Sequence, residues 1–304
     1  MNLQTLIQRS AASLSAAGVA FGHGTDNAHD EAAWLVLWRL GLPLDTQIAE
    51  PAALNPSEGL HAPLEELSTE QIQACERLID ERIRTRKPAA YLTQEAWLQG
   101  IAFYIDERSI VPRSFIAELL TDGSLDYWLS EQSTQFLDLC TGNGSLAVLA
   151  ALTYPEIQVL GADISEQALQ VARINVEKHH LEERIQLQPS DGLTSIAGKF
   201  DCILCNPPYV CHASMQELPA EYLAEPLLAL DGGSDGMNFV RQLLHDLPAH
   251  MNDKAILVLE IGNERAHFEN AFAKLQAIWL ETSAGEDQVL LITHEALVAY
   301  LQST

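Results

Sequence analysis

After about residue 133 the chain alternates apolar runs with helical stretches, and few folds accept that order. Apolar runs fall at 135–140, 157–162, 185–188, 200–205, 255–260 and 288–292, and helical stretches at about 144–153, 165–179, 236–248 and 263–275. Short apolar runs parted by longer amphipathic ones imply buried strands joined by crossover helices, a doubly wound and mostly parallel sheet. No helical segment separates Ala277 to Glu281 from the final run, Asp287 to Thr293. A hairpin there predicts an antiparallel edge to an α/β sheet. The tail from His294 to Thr304 reads as a short helix beyond the last strand.

The first 90 or so residues read differently. Leu3, Leu6 and Ile7 open an amphipathic repeat, Asp30-Glu31 lead into Ala32 to Trp38, and Ser68 is placed to cap a helix that Lys87-Pro88 ends. Pro43, Pro51, Pro56 and Pro63 make 43–68 an irregular connection. Trp97 to Ile105, broken at Gly100, predicts a hairpin, and Val111-Pro112-Arg113-Ser114 enters a short helix around Phe115 to Leu120. The expected division is a helical domain over 1–90, a hairpin and connecting segment over 91–125, and the sheet domain over 126–304.

Charge narrows the partners. There are 17 Lys+Arg against 42 Asp+Glu, a formal net charge of −25. Such a surface repels phosphate backbones and attracts a basic protein, so no direct nucleic-acid substrate is expected. Part of that charge serves solubility alone. No apolar run reaches the roughly 18 residues of a spanning helix, and no basic-then-apolar leader opens the chain. Five cysteines in an odd, uneven set fit free thiols in a reducing cytoplasm.

The strongest local motif is Asp138-Leu139-Cys140-Thr141-Gly142-Asn143-Gly144, where a strand gives way to a helix. Gly142 and Gly144 let the backbone turn and approach a ligand closely. Two glycines alone also occur in dinucleotide loops and in many tight turns. The next strand ends at Asp163, 19 positions after Gly144, where a carboxylate can accept two ribose hydroxyls. Asp138, four residues before Gly142, suits a ligand with a free ammonium rather than a pyrophosphate, which would favour a third glycine where Ala147 stands. Asp191, in Ser190-Asp191-Gly192, is placed to accept from an adenine amino group, though a turn-forming Asp before Gly is common.

Asn206-Pro207-Pro208-Tyr209 follows the strand 200–205 directly. Two prolines fix φ and remove two donors, leaving carbonyls as acceptors, and the Asn206 side-chain oxygen is another. A planar amino group offering two N–H bonds fits such a pair. Holding both favours a pyramidal nitrogen and stabilises positive charge growing on it. Tyr209 can pack on the planar acceptor.

Two further clusters weigh less. Cys202, Cys205, Cys211 and His212 resemble a loose zinc set, but Cys202 and Cys205 lie three apart on a strand and face opposite sides. No metal is expected. His179-His180 reads as a solvated helix C-terminal cap.

The order Asp-x-x-x-Gly-x-Gly, strand-end Asp, loop Asp and Asn-Pro-Pro-Tyr resembles the HemK-like N(5)-glutamine methyltransferases. Leu218 to Pro226 and Ala229 to Gly236 are similar to the segment after the clamp in that family. Tyr91-Leu92-Thr93, Ala96-Trp97, Gly100, Phe103 to Arg108 and Val111 to Ser114 resemble its PrmB branch, which modifies large ribosomal subunit protein 3. The resemblance implies a Rossmann-like class I methyltransferase sheet with an antiparallel last strand, and a small helical N-terminal domain that recognises the protein substrate. It implies S-adenosylmethionine as cofactor, held by Asp138, Thr141, Gly142, Gly144, Asp163, Asp191 and Asn206, with Asn206, Pro207, Pro208 and Tyr209 clamping the glutamine. Amino methylation of RNA or DNA, or of peptide chain release factors, is the alternative. Asn143 stands where relatives carry Ser or Thr, and Gly192 where they often carry a larger residue.

Overall fold

A computed structural model describes residues 1–46 and 66–303; Pro51, Pro56 and Pro63 of the expected connection lie outside them. The chain forms two compact units, Met1–Glu95 with Pro219–Ala224, and Ala96–Leu218 with Glu225–Thr304. The expected boundary at residue 90 thus becomes 95, the 91–125 segment is mostly part of the second unit, and a short distant stretch joins the first. Nothing in the periodicity of 219–224 signals that membership.

The first unit consists of α1 (Leu3–Ala16), α2 (Ala28–Leu40), α3 (Thr69–Thr85), α4 (Ala89–Thr93) and the 219–224 segment. Its helix ends follow local chemistry. Asn27 caps α2 by accepting from the Asp30 amide at 3.0 Å, and Gly41 ends it in the left-handed conformation. Ser68 and Gln71 form a reciprocal capping box on α3, at 3.2 and 2.9 Å. Leu6, Ile7, Leu14, Leu35 and Ile79 turn inward. Each such fully buried aliphatic side chain contributes about 1.5–3 kcal/mol.

The second unit begins with a hairpin of β1 (Glu95–Leu98) and β2 (Ile101–Tyr104). Its turn residues Gln99 and Gly100 both have positive φ, 49° and 74°, the twist a two-residue hairpin requires. After α5 (Ile116–Thr121) come β3 (Gln135–Leu139), α6 (Ser145–Thr153), β4 (Gln158–Asp163), α7 (Glu166–Lys178), β5 (Ile185–Pro189) and β6 (Phe200–Cys205). Short helices α8 (His212–Met215) and α9 (Ala220–Leu223) lead to α10 (Asn238–Asp246), β7 (Met251–Glu260) and α11 (Arg265–Ala271). A hairpin of β8 (Ile278–Thr282) and β9 (Gly285–Thr293) precedes α12 (His294–Ser303).

The seven-stranded sheet runs β5-β4-β3-β6-β7-β9-β8, parallel from β5 to β7. β9 is antiparallel to β7 and sits inside the sheet, so β8 is the edge strand. The hairpin expected from the sequence thus forms the antiparallel edge of the sheet. Side chains alternate between two cores: Phe136, Cys202, Leu204, Ile256 and Val258 on one face, Leu137, Leu139, Ile203, Cys205 and Leu257 on the other. Cys202 and Cys205 do face opposite sides. β3 is joined onward to β4 on one side and bonds β6 on the other, which makes the β3–β6 crevice the switch point where such sheets bind ligands.

The His179 reading needs correction. Its Nε2 meets the Ala102 carbonyl at 3.0 Å and its ring packs on Phe103. Burial pushes its pKa down, so it is a packed neutral imidazole rather than a solvated cation. His180 is exposed with φ 56°.

Candidate active site

At the carboxyl ends of β3, β4 and β6 the backbone between β3 and α6 is unusual. Cys140, Gly142 and Gly144 all have positive φ, 60°, 54° and 80°. For cysteine that conformation is strained, and strain of this kind gathers at ligand sites. A Cβ on Gly144 would lie 3.0 Å from the Ala172 Cβ, so glycine lets α6 start close against α7. Asn143 is buried and ties the loop down. Its Nδ2 donates to the Ile110 carbonyl at 2.8 Å, its Oδ1 accepts from the Ser145 amide, and its own carbonyl accepts from Asn175. An Asn here therefore serves loop packing, which neither Ser nor Thr could span.

Asp138 lies beneath this loop, 1% exposed. Its Oδ2 accepts from the Thr141 hydroxyl at 2.5 Å and the Ala147 amide at 3.0 Å, while Oδ1 is buried without a partner. Burial pushes its carboxyl up to about 7, against the pull of those two bonds. Asp138 thus occupies an amide at the start of α6, where a pyrophosphate would otherwise dock. At the end of β4, Asp163 accepts from the Gly142 amide at 2.9 Å and the Ser165 amide at 2.8 Å, and burial raises its pKa.

These elements line an open cleft at the carboxyl ends of the strands, where ligands of such sheets bind. Gly142, Asp163, Asp191, Asn206 and Pro208 line it; Asp138, Thr141, Gly144, Pro207 and Tyr209 stand behind its wall. Arg108, Ser109, Cys140, Ile164, Leu228 and Phe239 also line it, and sequence reasoning gives none of them a role. Ile164 and Ser165 follow a strand-end acid and could have been inferred from position. Phe239 comes from α10 and could not: its ring edge is 3.8 Å from where a Gly192 Cβ would be. An aromatic therefore stands beside the glycine that replaces a larger residue. The Cys140 thiol, hydrogen-bonded with Cys205 and partly buried in the cleft wall, is held well above its usual pKa. A protonated thiol is a poor nucleophile, so the cleft wall does not compete for an electrophilic methyl group.

The clamp loop is fixed from behind. The Tyr209 hydroxyl donates to Glu260 at 3.3 Å, and Glu260 also accepts from the Ser114 hydroxyl at 2.6 Å and the Phe115 amide at 2.9 Å. A Cβ on Gly262 would lie 2.6 Å from the Tyr209 ring, so only glycine lets the ring lie there. Arg113 forms a two-pronged pair with Glu225, at 2.6 and 2.7 Å, and Glu225 accepts the Val111 amide as well. Val111 to Phe115, singled out in the sequence, thus forms a strap bonded to Glu225 and Glu260. Asn206 leaves its side-chain amide without a hydrogen bond among the described residues while facing the cleft.

The cleft fits S-adenosylmethionine on these observations: a buried Asp138 carboxylate oxygen without a partner, two acids on the cleft wall and a helix-start amide already taken by Asp138 and so closed to phosphate. Residues 123–232 match the family model described as methyltransferase small domain. The chain is 48% identical over 298 residues to the ribosomal protein uL3 glutamine methyltransferase of Bordetella pertussis, covering 97% of this chain and 96% of the relative. It is 46% identical to the Burkholderia pseudomallei protein of the same name, over 98% and 96%. The chain belongs to the ribosomal protein uL3 glutamine methyltransferases. Among solved structures, the hMettl16 catalytic domain in complex with MAT2A 3'UTR hairpin 6 shares the fold, with a TM-score of 0.51 at 13% identity over 73% of this chain and 80% of that one. No helix among the described residues is long and apolar enough to cross a membrane.

Proposed function

We propose that this chain transfers a methyl group from S-adenosylmethionine to the side-chain amide nitrogen of a glutamine in ribosomal protein uL3, in the cytoplasm. The observation that carries this reading is near-full-length identity of 46–48% to relatives bearing that name. When bound, the cofactor supplies an electrophilic methyl on a sulfonium. Asp163 accepts the ribose hydroxyls and Asp191 the adenine amino group, with Phe239 against the ring. Asp138, Thr141, Gly142 and Gly144 would hold the methionine portion, Asp138 by fixing the loop from beneath through the Thr141 hydroxyl and the Ala147 amide.

Asn206 and the Pro207 carbonyl accept the two amide N–H bonds, and Pro208 and Tyr209 bound the planar group. Holding both bonds pulls the nitrogen lone pair out of conjugation and toward the methyl carbon. The bound cofactor would supply the methyl group to that nitrogen, the S–C bonding pair leaving with the thioether. The methylated, protonated amide is strongly acidic and loses its proton to water, so no side-chain base is required. The helical unit recognises the substrate, and the −25 charge favours a basic one.

The test is labelled methyl transfer to purified uL3, with ribosomal RNA and a release factor as parallel substrates. Label on a uL3 glutamine alone is the expected result; label on RNA or on the release factor instead would overturn the reading.

A further inference from the structure

Along the sequence Cys211 lies near Cys202, Cys205 and His212, a loose set that strand geometry breaks up. The tertiary structure takes it away from Cys202 and Cys205 and sets it against Glu264 and His267, which lie around the start of α11. One ligand atom from each of the three lies within 4.8 Å of the others. Cys211 comes from the loop after β6, Glu264 from the end of the loop after β7 and His267 from the first turn of α11, and β6 and β7 are parallel neighbours whose ends open side by side. Cys211 and Glu264 are buried, while His267 is 43% exposed and opens the cluster to solvent.

The groups are already oriented. Glu264 Oε1 accepts from the Cys211 amide at 3.3 Å, and Oε2 meets His267 Nδ1 at 2.5 Å. The Ser214 hydroxyl lies 3.3 Å from the Cys211 sulfur. A tetrahedral zinc ion with ordinary bond lengths needs its sulfur, nitrogen and oxygen ligands about 3.3–3.7 Å apart. Atoms already within 4.8 Å reach that spacing through small side-chain rotations. Thiolate, imidazole and carboxylate are also the three ligand types zinc takes, and magnesium or calcium would refuse the sulfur.

We propose that Cys211, Glu264 and His267 form a site for one zinc-class divalent cation, with water or the Ser214 hydroxyl in the fourth position. Binding expels the Cys211 proton to solvent, because the thiolate is the ligand. A cation there pins the backbone two residues beyond Tyr209 to the first turn of α11, bracing the clamp loop from outside the cleft. The site stands apart from the cleft lining and does not depend on the methyl acceptor.

Full-length protein stripped with a chelator is titrated with Co²⁺, and separately with Zn²⁺ in competition with a chromophoric chelator. The expected result is one equivalent bound, a sulfur-to-cobalt charge-transfer band, and a higher melting temperature. Cys211→Ser should abolish the band and weaken Zn²⁺ binding about 100-fold or more, His267→Gln should weaken it at least about tenfold, and Cys75→Ser should change neither. If Cys211→Ser fails to fold, His267→Gln, at a half-exposed position, still decides. A band absent from the parent protein, or affinity unchanged in His267→Gln, overturns the site.

Discussion

In the helical unit the Arg82 guanidinium is 0% exposed and is met by Glu31 at 2.9 Å, Glu221 at 3.3 Å and the Ala20 carbonyl at 3.0 Å. In the sheet unit Asp138 is as deeply buried, yet its two hydrogen bonds come from neutral donors and one oxygen has none. The first arrangement is closed: each charge faces its opposite, and Arg86 adds a second cation to Glu221. Burial nudges Glu31 up, whereas for Glu221 the backbone and arginine bonds outweigh burial and bring it down. The second arrangement is open, and its carboxyl titrates near neutrality. Paired buried charge holds architecture together; buried charge left short of partners marks where a ligand completes the set.

The largest effect should come from opening the closed set. Arg82→Met leaves Glu31 and Glu221 buried without their shared cation, so stability should fall by about 3–5 kcal/mol in denaturant titration. Cofactor affinity of the folded fraction should stay unchanged; a matching loss of affinity would erase the distinction between the units.

Asn206→Ala should lower kcat about 10²–10³-fold, the scale for one donor or acceptor acting in the transition state, with cofactor affinity and melting temperature held. Lost cofactor binding with normal turnover at saturation would remove Asn206 from the clamp. Asp163→Ala should weaken cofactor binding by about 10–100-fold, the equivalent of one charge-assisted hydrogen bond at about 1.5–3 kcal/mol, and calorimetry reads it directly.

The smallest effect is a proton. Burial raises the Asp138 carboxyl to about 7, so the folded apo protein favours its neutral form. The stability this group contributes is present at low pH and is lost as pH rises through about 7. A cofactor ammonium favours the ionised form, so binding near pH 6 should release about one proton and above pH 8 almost none. Calorimetry in two buffers of different ionisation enthalpy measures the release, and Asp138→Asn should abolish it. Release that persists in that variant would assign the proton elsewhere.

Much of the sheet was legible because its causes are local. A strand buried on both faces must be an apolar run, and a crossover helix must show its own period, so the strands at 135–139 and 200–205 stand out within a residue of their bounds, while the edge strand at 185–189 shows only its Ile185 and Leu187. Glycine loops and paired prolines are equally local devices. What the sequence left open shares one origin. β9 lies inside the sheet because it bonds β7 on one side and β8 on the other, and pairing partners leave no mark in either strand alone. His179 seemed a solvated cap because Phe103 and Ala102 arrive from a hairpin over seventy positions upstream.

By itself the sequence determined the α/β class, the family, the glycine loop and the Asn206 to Tyr209 motif, since each depends on residue type and spacing along a few turns of chain. Only the tertiary structure decided which residues share a wall or a charge. It brought Phe239 beside Gly192, set Glu260 and Ser114 behind Tyr209, closed Glu31 and Glu221 on Arg82, and drew Cys211 to His267. Those contacts span tens to more than a hundred positions, and whether a buried group finds a partner depends on packing in three dimensions, which no local pattern encodes.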